Sequence, residues 1–266
     1  MNEITNLTVI IPVHELNEET KGFFTNVNSC TGIITVKPDA LAVVIPKGNK
    51  ELKTFVESLD YTGVKLKVLE NDGETDFASQ MNFGAENIST EWFSYLEYDD
   101  VLAVSYVSNV VKYKKAHTDV NIFLPIVVNI NDAGDFMGLT NEPVWAQQFS
   151  DEKGILDQGS LLRYENFSIN GMAINTEDYL DYGGFKPSIK MTFVYEFLLR
   201  ATHNASRIMT IPKIGYQHLN LRKGGLFANI QETMGMVEAD FWKRCAKKEY
   251  LWPNDRKITF EQETEA

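Results

Sequence analysis

The stretch "STEWFSYLEYDDVLAVSYV", Ser89 to Val107, poses the problem on which the fold turns. A run of apolar residues fit for the middle of a sheet ends in Glu97, Asp99 and Asp100. Burying three carboxylates is too costly unless a positive group meets them, so they are expected at a strand's end, facing a ligand or a metal. On an extended segment, side chains at i and i+2 point to one face. Glu97 and Asp99 are then expected to reach one divalent cation, with Asp100 pointing elsewhere or capping the next helix. Oxygen ligands of this kind suit Mg²⁺ or Mn²⁺, which in turn bind phosphates. The competing reading is an ordinary acidic turn.

Leu7 to Ile11 and Ala42 to Ile45 read as buried strands, and Val64, Leu66 and Val68 as the inward face of a third. Leu52, Val56 and Leu59 have helical spacing between them, which is the rhythm of crossovers in a largely parallel sheet. Phe77 to Asn87 is expected to be a helix capped by Asp76, before Trp92 to Leu96 returns as a strand. Ser105 to Tyr113 reads as helix and "VNIFLPIVVNI" as a strand broken at Pro125. Asn131 to Gly159 mixes Gly, Asp, Asn and Pro into a long connection, and "DYGGF" at Asp181 to Phe185 marks a turn before a short helix, Phe193 to Ala201. Ile230, Met234, Val237, Phe241 and Cys245 recur at three and four, predicting an amphipathic helix over 228–250 that packs on the chain's own sheet. Acidic groups also follow other strands, Glu15 after "TVIIPV" and Asp72 after "LKVLEN". In a parallel sheet such ends share one edge, where ligands bind in open α/β folds.

The expected fold is therefore α/β: one mixed, mainly parallel central sheet flanked by helices, in one domain over 1–266. Residues 1–105 would form a ligand-binding half and 106–230 a second half. With 25 Lys and Arg against 37 Asp and Glu, the net charge of -12 disfavours nonspecific binding to polyanions. No leader pattern and no run of roughly 18 apolar residues is found, so a soluble, cytoplasmic protein is expected. Cys30 and Cys245 are too few for a disulfide scaffold and too far apart for a structural zinc site. There is no G-x-x-x-x-G-K-[ST] loop, no G-x-G-x-x-G after the first strand, no H-E-x-x-H and no G-x-S-x-G elbow.

The ordered set of motifs over Thr8 to Asp100 resembles family 2 of the nucleotide-sugar glycosyltransferases, enzymes of the A-type fold. "IIPVHELNEE" is similar to that family's first strand end, "ENDGETD" to its Asp-Asp-Gly-Ser-x-Asp segment, and "MNFGAENISTEWFSYLEYDD" to its Asn-x-Gly helix and Asp-x-Asp-Asp strand end. The resemblance implies that Pro12, His14, Glu15 or Glu18 and Asp72 lie against the donor's base or ribose. Glu97 and Asp99 would handle ribose and the metal bridging the diphosphate. His14 stands where Tyr is frequent, and Glu97 replaces the first Asp.

Further on, "GMAINTEDYLDYGGFKP" resembles the segment before the acceptor-side helix, where the family has an acidic pair that supplies the base. Aligned through Arg200, that pair falls on Phe193 and Val194, which cannot remove a proton. Glu196, one helical turn from Arg200, is then the candidate base, with a surface ion pair to that Arg as the competing reading; Asp178 and Asp181 are the substitutes. "IPKIGYQHLNLRKGGL" resembles the stretch closing over the diphosphate, so His218 would complete the cation's coordination and Arg222 with Lys223 would neutralise the phosphates. A packed, hydrogen-bonded imidazole is the other reading of His218.

The resemblance thus implies an inverting, metal-dependent transfer of sugar from a nucleotide diphosphate sugar, a UDP-sugar first among them, to an acceptor hydroxyl. A carbohydrate acceptor in polysaccharide or glycoconjugate synthesis is expected. Phage-encoded relatives that glycosylate hydroxymethylated DNA bases supply an alternative, supported by eight Lys and Arg against four Asp and Glu over Arg207 to Tyr250. A noncatalytic nucleotide-sugar-binding module is the third reading, and the loss of the acidic pair is its motive.

Overall fold

Strand β1 (Leu7–Pro12) is buried along its whole length, as a strand covered on both faces must be. Leu7, Val9 and Ile11 enter one hydrophobic cluster and Ile10 enters another, so the chain's two-residue period splits one apolar run between two cores. The computed structural model describes residues 5–17, 21, 36–61, 63–142, 154–220 and 226–251. β1 pairs in parallel with β2 (Ala40–Pro46) on one side and with β4 (Trp92–Tyr95) on the other, and β2 carries β3 (Lys65–Asn71), also parallel. Beyond β4 the order continues through β9 (Ala173–Asn175), β6 (Ile122–Ile130), β10 (Ile208–Leu219) and β5 (Val101–Leu102). The long β6–β10 pairing is parallel, while the shorter contacts of β9 and β5 are antiparallel. Two further strands, β7 (Phe136–Thr140) and β8 (Ile155–Leu156), pair with β6 and β10. The result is the expected mixed, mainly parallel sheet flanked by helices.

Helix α1 (Lys50–Ser58), through Leu52 and Val56, and α3 (Tyr106–Ala116), through Val107 and Val110, cover one face. The other face is covered by α2 (Phe77–Glu86), α4 (Gln158–Arg163), α5 (Thr176–Asp181), α6 (Phe193–His203) and α7 (Leu226–Glu249). The Asp76 carboxylate caps α2 as its sequence predicts, accepting the Ser79 N–H at 3.2 Å. α2 lies close on the sheet because Gly84 faces it: a Cβ there would stand 2.8 Å from the Ile10 methyl.

Two local expectations need correction. β6 runs through Pro125 unbroken, because the irregularity is carried by its partner: β10 shifts register between Ile211 and Ile214, opposite the proline that lacks an N–H. In β3 the expectation stands: Val64, Leu66 and Val68 pack on the cluster that holds Leu7, Val9 and Ile11, while Leu69 faces the other cluster. In α7, Phe241 is 50% exposed, while Ala239, Ala246 and Tyr250 are buried. Among the described side chains the buried positions are thus offset from the predicted stripe, and α7 packs against α6. The side chains of Met234 and Val237 lie outside the described residues.

Gly183 and Gly184 turn the chain after α5 with φ of 80° and 63°, the left-handed region that glycine adopts without strain. No helix among the described residues is long and apolar enough to cross a membrane.

Candidate active site

The parallel strands β1, β4 and β10 send their C-terminal ends to one edge of the sheet, and a cleft of about 340 Å³ opens there. Pro12, His14 and Glu15 reach it from β1, Glu97, Tyr98 and Asp99 from the turn after β4, and His218 from the end of β10. The opposite wall is formed by Asp76 and Phe77 at the start of α2, by Ile189, Lys190 and Met191, and by Phe193 and Val194 at the start of α6.

The segment after β4 is not extended. Its Asp100 N–H donates to the Glu97 carbonyl at 3.0 Å, closing a turn that brings positions i and i+3 together rather than i and i+2. β5 then pairs antiparallel with the end of β10, Val101 beside Gln217 and Leu102 beside Tyr216. That register sets the residue before Val101 beside the residue after Gln217. Asp100 thereby meets His218, with Oδ2 2.9 Å from Nδ1, while its Oδ1 accepts the Leu219 N–H at 2.8 Å. Glu97, Asp100 and His218 each offer one donor atom, all within 4.8 Å of one another. Asp99 lines the cleft outside this set, so the structure exchanges Asp99 for Asp100 in the group expected from the sequence.

The electrostatics suit a cation. Asp100 is 2% exposed and Glu97 half-buried. Burial, and then the neighbouring Asp100 charge, push the Glu97 carboxyl up to about 8. Burial alone would lower the His218 imidazole, but the Asp100 hydrogen bond and charge, with Glu97 behind them, outweigh it and hold it at about 9. Two carboxylates thus crowd each other and lean on one imidazole, the imbalance that a divalent ion with oxygen and nitrogen ligands relieves. Asn170 fixes the group from β9's approach, its Nδ2 donating to Glu97 Oε1 at 3.0 Å. The fully buried Tyr216 hydroxyl accepts the Glu97 N–H at 3.0 Å.

Other expected site residues fall elsewhere. Asp72 stands exposed beyond the edge strand β3 and pairs with Lys47 at 3.0 Å. Asp178 accepts a 2.7 Å bond from Asn121, which precedes β6 and so marks the sheet edge opposite the cleft; Asp181 is exposed at the end of α5. Glu196 is buried inside α6. Arg200 grips it with two 2.9 Å bonds, Lys186 approaches at 2.9 Å and the Tyr250 hydroxyl donates at 3.0 Å. Burial works to raise the Glu196 carboxyl, but Arg200 and then Lys186 overcome it and hold it below the usual range. Glu196 does not line the cleft, whereas Phe193 and Val194 do. Glu18, Arg222 and Lys223 lie outside the described residues.

Asp100 carried a signal in the sequence, the doubled Asp, but its choice over Asp99 depends on the turn. Asn170 and Lys190 carried none, since each acts through a partner distant in sequence or through the packing of its segment, whereas Asp76, the last acid of "ENDGETD", was legible as a helix cap.

No protein-family model and no curated protein sequence matches the chain. Solved structures do match in fold. S. aureus TarS 1-349 in complex with UDP-GlcNAc superposes with a TM-score of 0.62 at 16% identity, over 84% of this chain and 60% of that one. The mannosyltransferase PcManGT from Pyrobaculum calidifontis, in complex with GDP-Man and Mn²⁺, gives 0.60 at 16% identity, over 88% of this chain and 62% of that one. This is a GT-A-like fold. In such a fold the cleft described above lies at the C-terminal strand edge, where open α/β sheets bind ligands. The chain spans about 60% of the length of these two GT-A-like structures.

Proposed function

We propose that the chain is a metal-dependent glycosyltransferase that takes a sugar from a nucleotide diphosphate sugar. The observation that carries this reading is the Glu97, Asp100 and His218 cluster at the C-terminal end of β4 in a GT-A-like sheet. Glu97, Asp100 and His218 would hold a Mn²⁺ or Mg²⁺ ion, whose charge would stabilise the negative charge that develops on a leaving diphosphate. The complexes of similar fold with UDP-GlcNAc and with GDP-Man and Mn²⁺ support this choice of ligand class. Asn170 and Tyr216 hold Glu97 in place, and the Leu219 N–H holds Asp100, so the donor atoms are set before any ligand arrives. Pro12, His14 and Glu15, at the end of β1, are proposed to lie against the nucleoside, with Asp99 on the ribose side of the cation. The acceptor is proposed to be a carbohydrate hydroxyl, attacking opposite the diphosphate with inversion. Glu196 then acts as a strut, its carboxylate spent on Arg200, Lys186 and Tyr250.

Calorimetry with UDP and with GDP, each with and without Mn²⁺, tests the reading. Mn²⁺-dependent binding of one nucleotide, abolished in Asp100→Asn, is the expected result. Equal affinity with and without the metal for both nucleotides would overturn it.

A further inference from the structure

We propose that Asp76 and Lys190, with Phe77 and Phe193 beside them, form the subsite that reads the hydroxyls of the transferred sugar, and that this sugar is a neutral hexosyl group. The proposal rests on the transferase reading and adds the class of sugar. Asp76 and Lys190 line the cleft from different segments, the start of α2 and the loop before α6. They approach to 3.5 Å, and both are largely shielded, at 19% and 33% side-chain exposure. Ser79 holds the carboxylate twice, its N–H donating to Oδ1 at 3.2 Å and its hydroxyl to Oδ2 at 2.8 Å. The helix cap therefore fixes the rotamer, and a carboxylate fixed in advance loses little freedom on binding. Its remaining lone pairs can accept a pair of adjacent hydroxyls, and Lys190 supplies donors beside them.

The surrounding wall is apolar where a sugar's C–H face would lie. Phe77 sits 5.6 Å from Phe193 and 5.3 Å from Tyr95, centroid to centroid. Tyr95 ends β4, two residues before Glu97, so this aromatic row leads from the cation cluster to the Asp76–Lys190 pair. A diphosphate on the cation would point its sugar along that row. Charge decides the class of sugar: Asp76, which Ser79 fixes in the subsite, would meet a uronyl carboxylate with like charge, and Glu15 and Asp99 line the same cleft.

The test uses the full chain with Mn²⁺ and compares the affinity for UDP-glucose with that for UDP, and for GDP-mannose with that for GDP. Asp76→Asn keeps a capping side chain, and Asp76→Ser is a second capping variant should the first fail to fold. The expected result is a fall of about 10-fold in the ratio of nucleotide-sugar to nucleotide affinity in both variants and in Lys190→Met, with affinity for the bare nucleotide unchanged. UDP-glucuronate should bind the wild type more weakly than UDP-glucose, and the gap should narrow in Asp76→Asn. Unchanged ratios in the folded variants would overturn the proposal while leaving the transferase reading intact. A wild type that binds neither UDP nor GDP in a metal-dependent way would remove that reading, and the subsite with it.

Discussion

Replacing Glu196 by Gln separates a strut from a base. The carboxylate is 2% exposed, and it is the acceptor for two bonds from Arg200, itself 6% exposed, one from Lys186 and one from Tyr250. A Gln amide keeps one acceptor oxygen but turns an N–H₂ toward donors, and it removes the carboxylate charge that balances the buried guanidinium. Arg200 keeps its contacts with the Tyr182 and Gly184 carbonyls. Breaking a buried pair by removing one partner costs roughly 3–5 kcal/mol. Lys186 is 38% exposed and can turn to water, which favours the lower end, about 3 kcal/mol. For a chain of this size that is a fall in Tm of roughly 6–12 °C.

The pH dependence has a definite sign. Because the folded Glu196 carboxyl titrates below its unfolded value, its contribution is complete above the unfolded pKa and is lost as the pH falls through the folded one. Scanning calorimetry at neutral and at acidic pH should therefore find the gap between wild type and Glu196→Gln full at about pH 7 and shrinking below about pH 4. A variant that melts within 1 °C or so of wild type, or a gap that does not change with pH, would refute the strut. If such a variant also loses sugar transfer by about 100-fold, Glu196 is the base that the family resemblance implies.

Tyr250→Phe removes one hydroxyl bonded to both Glu196 and Lys186 and should cost about 1 kcal/mol by urea melts, with much of the loss absent in the Glu196→Gln background. Asp100→Asn should weaken Mn²⁺ binding far more than Asp99→Asn, because Asp100 and not Asp99 stands with Glu97 and His218; calorimetry of Mn²⁺ with UDP or GDP would reject the assignment if the two variants rank the other way. Gly84→Ala places a methyl 2.8 Å from Ile10 and 3.1 Å from Val44 and should destabilise the chain by about 1–3 kcal/mol in denaturant melts, although Ala is the better helix former.

What the sequence determines by itself is whatever depends on neighbours along the chain. The apolar runs of β1 and β2, the Asp76 cap of α2, the helical spacing of Leu52 and Val56 and the Gly183–Gly184 turn all act over a few residues, and all stand in the structure where their spacing places them. The acid-rich end of β4 likewise announces a site, since three carboxylates after a buried strand demand compensation. Tertiary structure decides which of them face one another. The i,i+2 rule would join Glu97 to Asp99 only if the segment were extended, but a turn and the two-residue pairing of β5 with β10 join Glu97 to Asp100 and bring in His218, 118 residues away. Glu196 and Arg200 do form the i,i+4 pair that their spacing allows. What spacing does not reveal is that Lys186 and Tyr250 close over that pair and bury it, because burial depends on the packing of α6 against the glycine turn and the end of α7. Charge groups find partners by distance in space, and only the assembled sheet and its covering helices set those distances.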